Sequence, residues 1–244
     1  MDGDQGRAGH HADVKQAGDS AVIDGGAFDH VILATLDAEA TVARLRRDHG
    51  LGAIEGGSHP WGTANWIVPL EPPTYLEILY PEHPDRLVED PEGKDLLDRM
   101  RQGEFWAGWA LRPASIEDVA RQLELELEAG QATRPDGSVS SWRSAEPKAD
   151  LDGSLPFFID YDEPADRLER FSASYAAARH ERRVGSVDWI EIELGPVADG
   201  ASILGRLKTD IEIRTVAGSS PGIRAVGLRV DDRTIRLVFA AGAL

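Results

Sequence analysis

"FDHVILATLDAEATVARLRRDHG", residues 28–50, changes character half-way along. Its first part is a short apolar run that reads as a strand, "FDHVILAT", and the rest reads as a helix, "AEATVARLRRDHG", closed by a glycine. A glycine-rich passage follows, then the strands "NWIVPL" and "TYLEILY". About 77 residues on, the same order returns. It runs through strand "WAGWALR", helix "SIEDVARQLELEL", the hairpin signal "RPDG", strand "SVSSWRS" and strand "LPFFIDY", and "VARL" in the first helix meets "VARQL" in the second. A looser third pass begins after Gly185 with "SVDWIEIEL", the helical "GASILGRLKTD", and then "IEIRTVA", "GIRAVGLRV" and "TIRLVF". Each unit reads β-α-β-β-β and is too small to stand alone, so side-by-side units must share a core.

The expected organisation is therefore a disordered tail over residues 1–26, rich in Gly, Asp, Ala and Gln. A paired domain over 27–162 follows, with modules at 27–81 and 105–162. A helical connector spans 163–184, and a degenerate third module occupies 185–244. The class is α+β. With 41% hydrophobic residues in 244, the chain can bury a sizeable core. It has no cysteine, which excludes disulfides and thiolate chemistry and leaves His, Asp and Glu as the strong metal ligands. A formal charge of −17 repels phosphate backbones and acidic membranes, so nucleic acid and membrane are not expected partners. Without a long apolar run or the apolar centre of a signal peptide, cytoplasm is the expected location. No phosphate loop, dinucleotide fingerprint or nucleophile elbow is present, and "GSSPG" lacks the context of an activated serine.

Strand alternation picks out a candidate cleft. In "DHVILAT", His30, Ile32 and Ala34 share one face, and Asp29, Val31, Leu33 and Thr35 the other. In "YLEILY", Tyr75, Glu77 and Leu79 share a face. The helix needs an apolar floor, which Val31, Leu33, Leu76 and Ile78 supply, turning His30 and Glu77 to the concave side. "GGSHPWGTANWIVPL", residues 56–70, reads as a loop built for close approach. There Trp61 offers a stacking surface, His59 a ligand or proton shuttle, and Asn65 a donor and an acceptor. Arg134 and Trp142 flank the hairpin turn and can reach the same cleft. "LELELEAG" reads as an amphipathic helix end.

The phrases "DHVILAT", "GGSHPWGTAN", "YLEIL", "TRPDGSVSSWR" and "LPFFIDY", in this order, resemble the glyoxalase-like domain of the vicinal oxygen chelate superfamily. The resemblance is good over residues 28–162 and loose in the third unit. It implies paired modules forming curved mixed sheets around a cleft, with helices on the outer faces. It also implies a divalent metal (Zn, Mn, Ni or Fe) held from the first and last strands, where His30 and Glu77 stand. His59 would be a third ligand, with Asp160 or water as other candidates. The offset of about 77 sets Ala107 opposite His30 and Phe158 opposite Glu77, neither able to coordinate, so a symmetric four-ligand site is missing. Two functions follow. One is an enzyme acting on a small organic molecule (a lyase, isomerase or dioxygenase), with Glu77 or His59 as proton-transfer group and Trp61, Asn65, Arg134 and Trp142 on the substrate. The other is a metal-free protein that binds or sequesters a small molecule. A homodimer is compatible with either.

Overall fold

The computed structural model describes residues 21–147, 152–162, 166–195 and 198–239. The first module runs β1 (Ile23–Ala34), α1 (Ala38–His49), β2 (Ile54–Ser58), β3 (Thr63–Pro69) and β4 (Tyr75–Pro81). Two short helices, α2 (Pro84–Leu87) and α3 (Pro91–Met100), lead to the second module. That module comprises β5 (Phe105–Arg112), α4 (Ile116–Leu123), β6 (Leu127–Thr133), β7 (Val139–Ala145) and β8 (Phe157–Tyr161). Beyond them lie α5 (Arg167–Ala178), β9 (Val184–Leu194), α6 (Ala198–Arg206), β10 (Leu207–Thr209), β11 (Glu212–Ala217), β12 (Gly222–Val230) and β13 (Arg233–Leu237).

Local chemistry sets the helix ends. Asp37 caps α1 by accepting from the Ala40 amide at 2.9 Å, and Gly50 closes it with φ 72°. Ser115 caps α4 in the same way, and Glu124 ends it in the left-handed region at φ 56°. That stop corrects the expected helix over 115–127. "LEAGQAT" is strand β6, because Leu127–Thr133 pairs antiparallel with β7 along its whole length. Tertiary pairing here overrides local helical propensity. The glycine-rich passage is likewise part strand, since Ile54 and Glu55 of β2 pair with Ile67 and Trp66 of β3.

Both modules are wired alike. β1 runs parallel to β4, which is antiparallel to β3, and β5, β8 and β7 repeat that arrangement. A bridge between Ser58 and Thr133 joins β2 to β6, and β1 pairs antiparallel with β5. The eight strands therefore close in the order β1-β4-β3-β2-β6-β7-β8-β5, a curved sheet with no free edge. The covered outer face holds the largest buried side chains, including Trp106, Trp109 and Phe158, in an apolar core continuous with the third unit. Burial of each such ring stabilises the fold by roughly 1.5–3 kcal/mol.

Two expectations change at the ends. The tail, as far as residue 20, lies outside the described residues, but residues 23–26 are strand: Ile23 is fully buried and pairs with Leu207 of β10. An apolar position with a strand partner orders a segment whose composition alone reads as disordered. The third unit departs from the expected order and wiring: the end of its expected helix, Leu207–Thr209, is the extra strand β10, which pairs with β1. β9 lies inside the sheet, between parallel β11 and antiparallel β12, in the order β11-β9-β12-β13.

The loop from α5 to β9 docks on the first module, where the Gly52 amide donates to His180 Nδ1 at 2.9 Å. Burial holds the His180 imidazole below its ordinary range, against a carbonyl interaction at Pro69 and with help from the Arg46 charge. His49 and His59 are lowered too, again chiefly by burial. The unfolded chain therefore binds more protons than the folded one below about pH 6.5. Their contribution is fully present above that pH and is lost as pH falls through the folded values. Thermal unfolding is expected at lower temperature at pH 5.5 than at pH 7.5, with a smaller gap in His180→Asn, which accepts the Gly52 bond without titrating. An equal gap in both proteins would refute the assignment to His180.

Candidate active site

β1 and β4 lie side by side with His30 opposite Tyr75 and Ile32 opposite Glu77. The pleat sends His30, Ile32, Tyr75, Glu77 and Leu79 into a cavity of about 1220 Å³ inside the curved sheet. Val31, Leu33, Leu76 and Ile78 go to the core with Leu45 of α1. This is the facing that alternation predicts for both polar residues.

Asp29 breaks the alternation. The β1–β5 register slips between Phe28 and His30, leaving Asp29 as a bulge without a partner on β5. A bulge re-aims its side chain, and here the Asp29 carboxylate meets the neighbouring imidazole. His30 Nδ1 lies 2.8 Å from Asp29 Oδ1. The carboxylate is 1% exposed. It also accepts from Arg167 Nη2 at 2.5 Å and from the Tyr161 hydroxyl at 3.1 Å, with Arg112 3.8 Å away. Burial pushes this carboxyl up, but the His30 bond and the charges of Arg167 and Arg112 outweigh it and hold it below the usual carboxylate value. An ionised Asp29 only accepts, so Nδ1 carries the imidazole proton and Nε2 faces the cavity, 3.8 Å from Glu77 Oε2. The hydroxyls of Tyr75 and Tyr161, 3.2 Å apart, are both raised by burial and stay protonated.

Glu77 is fixed from β3. Asn65 Nδ2 donates to Glu77 Oε1 at 3.0 Å, and Asn65 Oδ1 accepts from the Gly57 amide at 2.7 Å. Gly56 is needed here because a Cβ would come within 1.8 Å of Asn65 Oδ1. Asn65 therefore faces the cavity with Ile67, while Val68 goes to the core and Trp66 packs against it.

The turn between β2 and β3 makes an aromatic corner on the same cavity. His59 is buried, its Nδ1 2.8 Å from the Thr63 hydroxyl, and Trp61 stacks on it at 4.7 Å and 6°. Trp142 stands edge-on to both rings, and Trp61 is 46% exposed. Arg134 lines the cavity and donates to the Ser138 hydroxyl at 3.1 Å.

Ala107, Phe157 and Ile159 also line the cavity, Phe157 standing edge-on to His30 at 5.4 Å, and Phe158 is in the core. This corrects the expected match of Phe158 to Glu77, since on β8 it is Phe157 that lines the cavity. Asp160, a candidate ligand, is instead paired with Arg143 at 2.6 Å and lies off this cavity's wall. Among the described residues, no three His, Asp or Glu side chains come together as a metal-holding group. His30 and Glu77 approach each other and His59 does not complete their set. The donors present do not fit a metal held by three side chains. Protein purified without chelator is accordingly expected to carry under about a tenth of an equivalent of any transition metal by elemental analysis, with an unchanged melting temperature in EDTA. A stoichiometric metal would overturn this.

Alternation misses a further set of residues. From α5, Phe171 stacks on Tyr75 at 5.3 Å, and Tyr75 stacks on His30 at 4.5 Å. The Arg167 guanidinium lies 4.0 Å from the Tyr161 ring centroid and 4.6 Å from that of Phe171.

A family model for the glyoxalase-like domain matches residues 28–204, which takes in both modules, the connector and the start of the third unit. This chain belongs to the glyoxalase-like family. The glyoxalase-like fold is shared with a crystal structure of a hypothetical protein from Staphylococcus aureus. That structure is 16% identical over 83% of this chain and 90% of its own, at a TM-score of 0.62. A methylmalonyl-CoA epimerase from Mycobacterium tuberculosis is similar at 19% identity, 64% and 97% coverage and a TM-score of 0.41. One from Streptomyces coelicolor, in complex with 2-nitronate-propionyl-CoA, matches at 22%, 56% and 97%, and 0.42. No curated protein sequence matches the chain. Among the described residues, no helix is long and apolar enough to cross a membrane.

Proposed function

We propose that this glyoxalase-like protein is an acid–base enzyme that moves a proton at a carbon next to a carbonyl in a small, flat, largely apolar organic molecule. The reading rests on one observation: His30 is held through Nδ1 by buried Asp29 and turns Nε2 toward Glu77 on the cavity wall. A base must lie within reach of the proton it takes and be kept in one orientation by a further group, and His30 meets both conditions. In the forward step the C–H bond breaks, its proton passes to His30 Nε2, and the electron pair moves onto the carbonyl oxygen as an enolate. The return step reverses each movement. The imidazolium formed stands beside the new negative charge and stabilises it. Glu77, anchored by Asn65, accepts a hydrogen bond from a substrate hydroxyl or shares the proton. Trp61 and Trp142 stack on the flat part of the molecule, with Arg134 at its rim, and His59 backs Trp61. No step uses a metal.

A second reading, binding without catalysis, is favoured by the exposed face of Trp61 above a buried stacking partner. One screen separates the two. A panel of 2-oxo acids, hydroxyketones and 1,3-dicarbonyl compounds is incubated with the protein in D₂O. Deuterium incorporation is read by proton NMR, and tryptophan fluorescence is followed in parallel. Enzyme-dependent incorporation supports the acid–base reading, quenching with no incorporation supports sequestration, and neither signal across the panel rejects both.

A further inference from the structure

We infer that Arg167, delivered by α5 from outside the paired modules, is a positioning residue that sets which nitrogen of His30 carries the proton, and so whether the Nε2 that faces the cavity accepts or donates. The inference rests on the acid–base reading only for the use made of that nitrogen.

A neutral imidazole carries one proton and can place it on either nitrogen, and the partner of Nδ1 decides which. An ionised Asp29 accepts, so the proton sits on Nδ1 and Nε2 keeps its lone pair. A protonated Asp29 would instead donate to Nδ1 and drive the imidazole proton onto Nε2, which would then point a donor into the cavity. At 1% exposure, the carboxylate needs a counter-charge to stay ionised, because burial by itself favours the neutral acid. The groups facing this pair are Tyr75 and Glu77 on β4, Arg112 on β5, Tyr161 on β8 and Arg167 on α5. Neither tyrosine carries charge, and Glu77 has the wrong sign. Arg112 is 3.8 Å away with a side chain 28% exposed, so water screens much of its charge. Arg167, at 2.5 Å and 5% exposed, is the cation that counts.

The fit of Arg167 to this task goes beyond its own bonding needs. Among the described residues its buried Nε has no hydrogen-bond partner, an arrangement that ordinarily costs about 1–3 kcal/mol. What holds it is Asp29, the Pro73 carbonyl at 3.3 Å and the sandwich between Tyr161 and Phe171. Phe171 then continues through Tyr75 to the His30 ring, so α5 sets both the protonation pattern and the tilt of the imidazole.

The test reads the tautomer without any substrate. Full-length protein labelled with ¹⁵N-histidine is studied at about pH 8.5, about two units above the ordinary imidazole value. Ring nitrogens are correlated with ring carbon-bound protons, and His30 is identified among the seven histidines by its loss in His30→Gln. Wild type and Arg167→Lys, which keeps the cation, are expected to show Nδ1–H, and Arg167→Gln mostly Nε2–H. A folded Arg167→Gln that keeps Nδ1–H overturns the inference, as does Nε2–H in wild type. Should Arg167→Gln not fold, Arg167→Lys decides: Nδ1–H supports the inference and Nε2–H removes it. A protein inert in the deuterium screen whose tautomer still follows Arg167 would reject the proposed reaction and keep this arrangement.

Discussion

Replacing His30 with glutamine is expected to slow deuterium incorporation by roughly 10²–10⁴-fold, the range a positioned general base supplies. The glutamine amide is close to the imidazole in size and its NH₂ can still donate to Asp29, but it offers no nitrogen that takes up a proton at neutral pH. Circular dichroism melts should stay close to wild type, since the ring's stacking on Tyr75 is the main packing lost. The active compound from the panel would be followed at several concentrations. A fall in turnover with little change in half-saturation is the signature of an interaction made in the transition state. A loss smaller than threefold would remove His30 from the reaction.

The largest stability effect is expected at its neighbour. Asp29→Leu leaves the Arg167 guanidinium buried without a counter-charge, and breaking a buried pair from one side costs about 3–5 kcal/mol. In a chain of this length that lowers the melting temperature by roughly 10 °C. Arginine cannot escape by losing a proton, whereas a buried aspartate can, so Asp29→Leu should be worse than Arg167→Gln. The double variant Asp29→Leu with Arg167→Met removes both charges and should recover most of the loss. If the double variant melts no higher than the single one, the damage lies in packing and the pair is not its cause.

How far the sequence carries depends on which interactions are local. The two modules are legible because a pleated strand under a helix must alternate, and that same alternation turns His30 and Glu77 into the cavity. β6 is not legible. "LELELEAG" has helical composition, and only its pairing with β7 makes it a strand. Asp29 is half legible: an acid inside an apolar strand needs a buried partner somewhere, but nothing local announces the bulge that brings it to His30. Arg167 is invisible, since "DRLERF" resembles any solvated helix with mixed charges and the partner lies 138 residues away. Its selection is a matter of where α5 docks. His59 shows how much of a side chain's surroundings composition leaves out. Residue type and loop composition make it a natural ligand, and the fold spends its Nδ1 on Thr63 and its ring on Trp61.

The duplicated barrel carries its two proton-transfer groups on neighbouring strands, His30 on β1 and Glu77 on β4, with no such pair repeated at Ala107 and Phe157 of the second module. A planar enolate lying against this pair has two faces, and the one turned to His30 is the one that meets a hydrogen. Label would then enter a stereogenic carbon with its configuration kept, and a single enantiomer would exchange without racemising. Duplication gave this chain a symmetric vessel, and the lopsided placement of its bases makes the vessel handed.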